Sequence, residues 1–413
     1  AGGYFDWWIV ALSSNGAVWD YGYNALRQPT TETLAYGGKT YTLTRSYNAN
    51  GHLASLSYPT GGPSLSYAPN ALGQPTQVGS YASGISFHPS GAVAGYTLGN
   101  GLAHSLPLNE RQLPKTLQDG TLLQNELRYD ANGNVTGISD PQQPATDRAM
   151  AYDGLDRLSS ASGVWGTASY GYDAADNLTS AQVGSRSHTL GYDTRNRLAS
   201  LSGTSSVAYA YDARGNISQR GSSSYQFDLG NRLQLVNGTN ACTYDGHGRR
   251  VKHLSSDGST RIHLYSQDGQ LLWSTSSGGT RAASSTAYVH LGGKQIAEWN
   301  SVSGVQYIHT DALGSPVARS GSTGALISRT HYEPYGGIVP GSTPPGPQAG
   351  SGLTGYTGHV QDPETGLVYM QQRYYEPVAG RFLSVDPIVT DAASGKGFGR
   401  YHYGENNPYS KID

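Results

Sequence analysis

The stretch Leu190–Gly203, "LGYDTRNRLASLSG", decides the fold because it is one copy of a repeated unit. Its relatives are "LRYDANGNVTGISD" from Leu127, "MAYDGLDRLSSASG" from Met150, "YGYDAADNLTSAQVG" from Tyr170, "YAYDARGNISQRG" from Tyr209, "YQFDLGNRLQLVNG" from Tyr225 and "CTYDGHGRRVKHL" from Cys242. The aromatic before Asp falls at Tyr129, Tyr152, Tyr172, Tyr192, Tyr211, Phe227 and Tyr244, in steps of 23, 20, 20, 19, 16 and 17 residues. A drifting period near twenty is two strands and their turns. Alternating segments such as Leu190-Gly191-Tyr192 and Leu198-Ala199-Ser200-Leu201 suit period-two strands. Asp193-Thr194-Arg195-Asn196 is turn chemistry, because Asp and Asn bond their own backbone and tolerate left-handed geometry. In Ala131-Asn132-Gly133-Asn134 and Ala213-Arg214-Gly215-Asn216 a glycine supplies that geometry without steric cost.

Each unit therefore predicts a β-hairpin. A lone hairpin cannot bury a face, so hairpins added edge to edge predict one extending sheet. Weaker copies precede the array ("YGYNALRQPT", "RSYNANGHLASLSY", "LSYAPNALGQPTQVG", "FHPSGAVAGYTLGNG") and follow it ("YSQDGQLLW", "YVHLGGKQIAEW"), carrying the pattern from about residue 15 to residue 300 without a boundary. Gly336–Gly352, "GGIVPGSTPPGPQAGSG", is too rich in Pro, Gly and Ser for helix or ladder and predicts a surface loop.

Composition agrees with an all-β chain. Only 14% of the 413 residues are charged, against about 25% in average domains, while Gly (56) and Tyr (31) are over-used. A net charge of −2 without a Lys/Arg run leaves no electrostatic footprint for nucleic acid or an anionic membrane. Cys242 is the single cysteine, which excludes a disulfide framework and a thiolate metal site; it reads as a small buried hydrophobe. The apolar run Trp7–Leu12 is too short to span a bilayer and lacks a basic flank, so it predicts a strand, with no signal peptide and no membrane segment. The opening "AGGYFDWW" reads as mid-pattern, as if cut from a longer chain.

The aromatic–Asp units, followed by "YIHTDALGSPVARSGSTG" from Tyr307, "HYEPYG" from His331, Thr354–Ile388 ("TGYTGHVQDPETGLVYMQQRYYEPVAGRFLSVDPI") and "NNPY" from Asn406, resemble the Rhs/YD-repeat proteins and their Rhs-associated core domain. The resemblance covers nearly the whole chain. It implies a continuous antiparallel sheet spiralling into part of a hollow shell, over residues 1–300, closed by a core plug at 301–413. It further implies that such a shell encapsulates its own C-terminal toxin and cuts it free as an aspartyl autoprotease. The partners implied are that toxin, an N-terminal remainder of the shell, and secretion-system spike or adaptor proteins or a Tc B-component. Export from a bacterium by a type VI apparatus or a Tc-type complex is implied too. Independently of the family, abundant Tyr with few aliphatics suits a wall whose rings pack laterally and whose hydroxyls stay satisfied. With about half the residues in strands at about 16 Å² each, the wall area of about 3,500 Å² closes into a sphere of about 16 Å radius. That is too small for a 100-residue domain of about 13 Å gyration radius behind a wall about 10 Å thick.

The resemblance assigns catalytic positions to Arg373 in "RYYEP", Asp386 in "DP", and Asp413 after "NNPY". Paired carboxylates share a proton, so one activates water while the other protonates the scissile carbonyl, and a guanidinium holds one in place. Two features depart from the family pattern: Asp386-Pro387-Ile388-Val389 lacks the usual Gly, and Asp386 and Asp413 stand 27 residues apart, lengthened by "TDAASGKGFG". The bland reading makes Asp386 an Asx turn, and Arg373 and Arg381 surface ion-pair partners. Twelve scattered His show no metal spacing and read as satisfied wall or turn residues; no cofactor or metal is expected. Asp362 and Glu364 in "QDPETG" read as solvated loop carboxylates, and "SGKGFGRY" as loop without a phosphate cradle. The sequons at Asn134, Asn177, Asn216 and Asn237 arise mostly where a turn Asn meets the next strand's Ser or Thr. The rival reading is a non-catalytic adhesion or carbohydrate-binding surface protein that resembles wall-associated YD-repeat proteins or the animal teneurins, with exposed tyrosines to stack on sugars. A hydrolase acting on other molecules has no supporting site.

Overall fold

Asp193 shows why the unit is written as it is. In the computed structural model, which describes residues 11–342, 354–388, 391 and 398–412, its Oδ1 accepts the backbone N–H groups of Arg195 and Arg197, both at 2.9 Å. Its Oδ2 takes the Arg197 guanidinium. Asp153, Asp173, Asp212 and Asp228 close their turns identically, with Asn or Arg four residues on as the side-chain partner. The fourth residue of the loop is left-handed, with φ of 60° at Asp156, 61° at Asn196 and 90° at Gly215.

The aromatic does a second job. The Tyr192 hydroxyl donates to the Leu178 carbonyl of the preceding hairpin at 2.8 Å; Tyr152, Tyr172 and Tyr211 do the same to Val135, Leu158 and Leu198. Arg157 and Arg197 lie over the next hairpin's ring, 4.6 and 4.4 Å from the centroids of Tyr172 and Tyr211. Asp thus shapes each hairpin and Tyr clasps it to its neighbour, which makes the pair a device for edge-to-edge growth.

Growth proceeds by sequence neighbour. Six strands from Ala11–Ser14 to Ser64–Ser66 form one sheet, and 26 from Gln77–Val78 to Leu326–Arg329 form the next, each antiparallel to its neighbours. Backbone bonds from Thr76 to Tyr67 and from Gly79 to Ser66 carry the strip across the break. The strip continues past residue 300 to Arg329. It then comes round on itself: Asn100 Nδ2 donates to Ser320 and to the Gly321 carbonyl at 2.9 and 3.0 Å, and Arg329 to the Leu122 carbonyl at 2.8 Å. Side chains make this seam; among the described residues no ladder pairs the last strand with Gln77–Val78.

Over the array, one face is buried and the other faces solvent, as in Gly166–Tyr172 and Arg186–Tyr192. Elsewhere the strip also lies over itself. Strands Ala17–Tyr23 to Val93–Leu98 lie on strands Arg250–Leu254 to Gly304–Thr310 with interlocked apolar side chains. There Trp19 Nε1 donates to Asp245 at 2.9 Å and the Tyr58 hydroxyl to the Tyr288 carbonyl at 2.6 Å, and a Cβ on Gly62 would stand 2.6 Å from the Trp273 ring. Successive residues enter different cores: Leu264, Leu272 and Val289 face this layer, and Tyr265, Leu271 and Tyr288 the opposite one. These strands are apolar on both faces, so both must be covered.

The opposite cover is the C-terminal segment. Four short strands, Val360–Asp362, Leu367–Met370, Arg373–Glu376 and Arg381–Phe382, pair in order around a cluster of Tyr332, Tyr356, Tyr375, Phe382 and Tyr403. This plug touches the strip at points as distant as Asn134 (2.7 Å from Asn407), Gly215 (2.5 Å from the Tyr401 hydroxyl) and Gln295 (2.6 Å from Thr354). Contacts that far apart along the strip require the sheet to curve around the plug. The predicted surface loop begins inside it: Gly336 is buried, with φ of 84°, against the Tyr356 ring, while residues 343–353, like residues 7–10 of the predicted first strand, lie outside the described residues. Cys242 is buried, its sulfur 3.2 Å from the Tyr374 hydroxyl.

Candidate functional site

Two neighbouring plug strands place the predicted arginine. Pairing of Tyr375 with Phe382 and Glu376 with Arg381 brings the Phe382 ring under the Arg373 guanidinium, 3.6 Å from its centroid. The chain leaving Phe382 then carries Asp386 to Arg373, with Nη2 and Oδ2 2.9 Å apart. Asp386 is fixed through its backbone as well, its N–H donating to the Arg400 carbonyl at 2.9 Å and its own carbonyl accepting from Arg400 Nη2 at 2.6 Å. Its Oδ1 also accepts the Ile388 N–H at 2.8 Å. The Asx turn and the Arg pair, opposed in the sequence reading, are both present on one carboxylate. Asp413, and residues 392–397 of the inserted loop, lie outside the described residues.

Three expectations need correction. Arg373 and Arg381 are not surface residues; they are 8% and 3% exposed, because the plug strands are covered by the strip. Asp362 is not a solvated loop carboxylate. It is 1% exposed and grips the equally buried Arg250, with Nη2 donating to Oδ1 at 2.9 Å and Nη1 to Oδ2, while Tyr374 accepts a further bond from Nη1 at 2.9 Å. Burial raises its pKa, but Arg250 outweighs burial and holds it down to about 2. Glu364 in turn pairs with Arg261 and Arg281 at 3.2 and 2.6 Å. The turn reading treated these carboxylates locally, and their partners lie over 80 residues away. Finally, no described tyrosine is exposed, so the rings expected to stand open for stacking on sugars are at least half-buried.

One constellation escaped the sequence reading altogether. Ser320 Oγ lies 2.8 Å from His309 Nε2, and His309 Nδ1 2.9 Å from Asp119, whose other oxygen is 2.6 Å from His104. Burial alone raises the Asp119 pKa, yet bonds to the two histidines bring it to about 2. The arrangement has the connectivity of a hydrolase triad. Its Ser and His are 0% exposed, so no substrate carbonyl reaches the hydroxyl, and its chemistry is that of a buried seam joining Asn100 and Asp119 to the strip's last strands. Among the described residues no group of His, Cys, Asp and Glu is arranged to hold a metal, and no helix is long and apolar enough to cross a membrane.

With this architecture in view, a family model described as the teneurin YD-shell matches residues 108–409. The chain belongs to the teneurin YD-shell family. This YD-shell chain is 28% identical over 211 residues to the tRNA nuclease WapA of Bacillus subtilis, covering 49% of the chain and 9% of that protein. It is 30% identical over 214 residues to mouse teneurin-1, covering 50% of the chain and 8% of that protein. Among solved structures, the TcdB2–TccC3–TEV crystal structure superposes with a TM-score of 0.79 at 20% identity, over 98% of the chain and 24% of its own. The Photorhabdus luminescens Tc holotoxin pore gives 0.78 at 19%, over 97% and 23%. These likenesses establish the fold, a YD-repeat shell, and the chain spans under a tenth of the curated relatives it matches.

Proposed function

We propose that this chain is the part of a YD-repeat shell that carries a self-cleaving plug, and that the complete shell sequesters a C-terminal effector until a bacterial export or toxin-complex machine delivers it. In this reading Arg373 orients Asp386, and Asp386 and Asp413 divide the acid and base work. Water adds to the scissile carbonyl, the carbon–nitrogen bond breaks, and the leaving amine takes a proton, so that a carboxylate and an amine result. The observation that carries the proposal is the 2.9 Å contact between Arg373 and Asp386, on a plug that the strip surrounds. The relatives bearing nuclease and toxin-complex names support the encapsulated cargo. The test is intact-mass measurement of the full-length gene product beside its Asp386→Asn and Arg373→Gln variants. Two fragments from the wild type and one uncut chain from Asp386→Asn are expected; an uncut wild type removes the protease role.

A further inference from the structure

A cleft of about 540 Å³ opens between the turns at Tyr192–Leu198 and Tyr211–Gly215 on one side and Arg381–Phe382 and Arg400–His402 of the plug on the other. Its size is that of a small-ligand site. Five arginines line it (Arg195, Arg197, Arg214, Arg381 and Arg400), and no lining residue is acidic. Arg197 and Arg214 are committed to Asp193 and Asp212. Arg381 is different: its Nη2 donates to the Tyr192 hydroxyl at 3.0 Å, its Nε has no acceptor, the residue is 3% exposed, and no described carboxylate forms an ion pair with it. Arg400 Nε is likewise buried without an acceptor. A guanidinium withdrawn from water without an anion is costly, and its planar fork matches a carboxylate or phosphate. The Tyr401 hydroxyl, bonded to the Gly215 carbonyl at 2.5 Å, ties the two walls together.

We propose that this cleft is an oxyanion site, in which Arg381 and Arg400 grip a carboxylate or phosphate, Arg195 attracts it at the mouth, and the Tyr211 and Tyr401 rings flank the body of the ligand. Neither Arg373 nor Asp386 lines the site, and the Arg400 side chain is shared with that pair through the Asp386 backbone, so binding can be measured in a chain that stays uncut. Two sources supply such a group, a free anion or a carboxylate borne on polypeptide. Calorimetric titration of the full chain, carrying Asp386→Asn so that it stays uncut, uses three probes: inorganic phosphate, a hexapeptide with a free C-terminal carboxylate, and the same peptide amidated. Binding of phosphate or of the free acid is expected, with the amide weaker by about tenfold or more. Phosphate binding as tight as the acid assigns a free anion, and tighter binding of the acid assigns a polypeptide end. Arg195→Gln alters only an exposed side chain and should weaken the bound probe about threefold to tenfold; Arg381→Gln should abolish binding. No binding of either anion, or binding unchanged in Arg195→Gln and Arg400→Gln, overturns the proposal.

Discussion

Between Leu158 and Tyr211 the strands show the outside world every second side chain, whereas between Thr260 and Asn300 most side chains on both faces are hidden. Both regions are built from the same hairpin. The difference lies in what covers the second face: solvent over the array, and the strip's own early strands over the later region. It is registered in side-chain chemistry. The array alternates Ser, Gly and Ala with Leu and Tyr, while "HLY", "LLW" and "AYVHL" are apolar or aromatic in succession and carry His263 into a low-dielectric interior.

The comparison breaks most sharply at the plug contact of the covered region. Asp362→Ala leaves Arg250 buried without its counter-charge and should cost about 3–5 kcal/mol in denaturant unfolding, well above any single turn substitution in the array. A loss under about 1 kcal/mol would show that the two regions do not differ as described.

Acid should separate the regions next. Burial lowers the pKa values of His290 and His359 to about 4, below an ordinary value of 6.5. A histidine held neutral in the fold contributes stability that is complete above pH 6.5 and is lost as pH falls toward 4. At pH 5 the loss is about 2 kcal/mol per histidine. The array's Asp153, Asp173, Asp193 and Asp212 are held below 3.8, against their own desolvation, by hydrogen bonds from the turn, so their stability is lost only below that pH. Hydrogen exchange at pH 5 should therefore show Ser284–Leu291 and the plug opening before the strands from Leu158 to Val183, which carry no histidine. The reverse order would sink the assignment of the buried histidines.

Smaller effects sharpen the account of the array itself. Asp153→Ala removes the acceptor for two backbone N–H groups and Arg157 and should cost about 1–2 kcal/mol. Tyr129→Phe removes only the 2.8 Å bond to the Pro114 carbonyl and should cost about 1 kcal/mol, measured as a shift in the denaturation midpoint at constant slope.

The strip was legible because its information is local. The Asp side chain bonds residues two and four places on, and the left-handed turn position is Gly, Asn or Asp, so a period near twenty announces both hairpin and neighbour. Arg373 and Asp386 were legible through a family motif, and their adjacency follows from two short paired strands. Asp362, read as a solvated turn residue, was misplaced because nothing within its own loop signals Arg250, 112 positions earlier. The triad-like seam of Asp119, His309 and Ser320 joins residues 190 positions apart and has no periodic signature.

The amino-acid order alone determined that this chain makes antiparallel hairpins that add edge to edge, since both the turn-closing carboxylate and the clasping hydroxyl act within one unit or its neighbour. Only the tertiary structure decided how far the strip curls, where it lies over itself, and which charges vanish into its interior. Those depend on packing between segments hundreds of residues apart, where desolvation and apolar contact select one overlap among many that the local pattern permits.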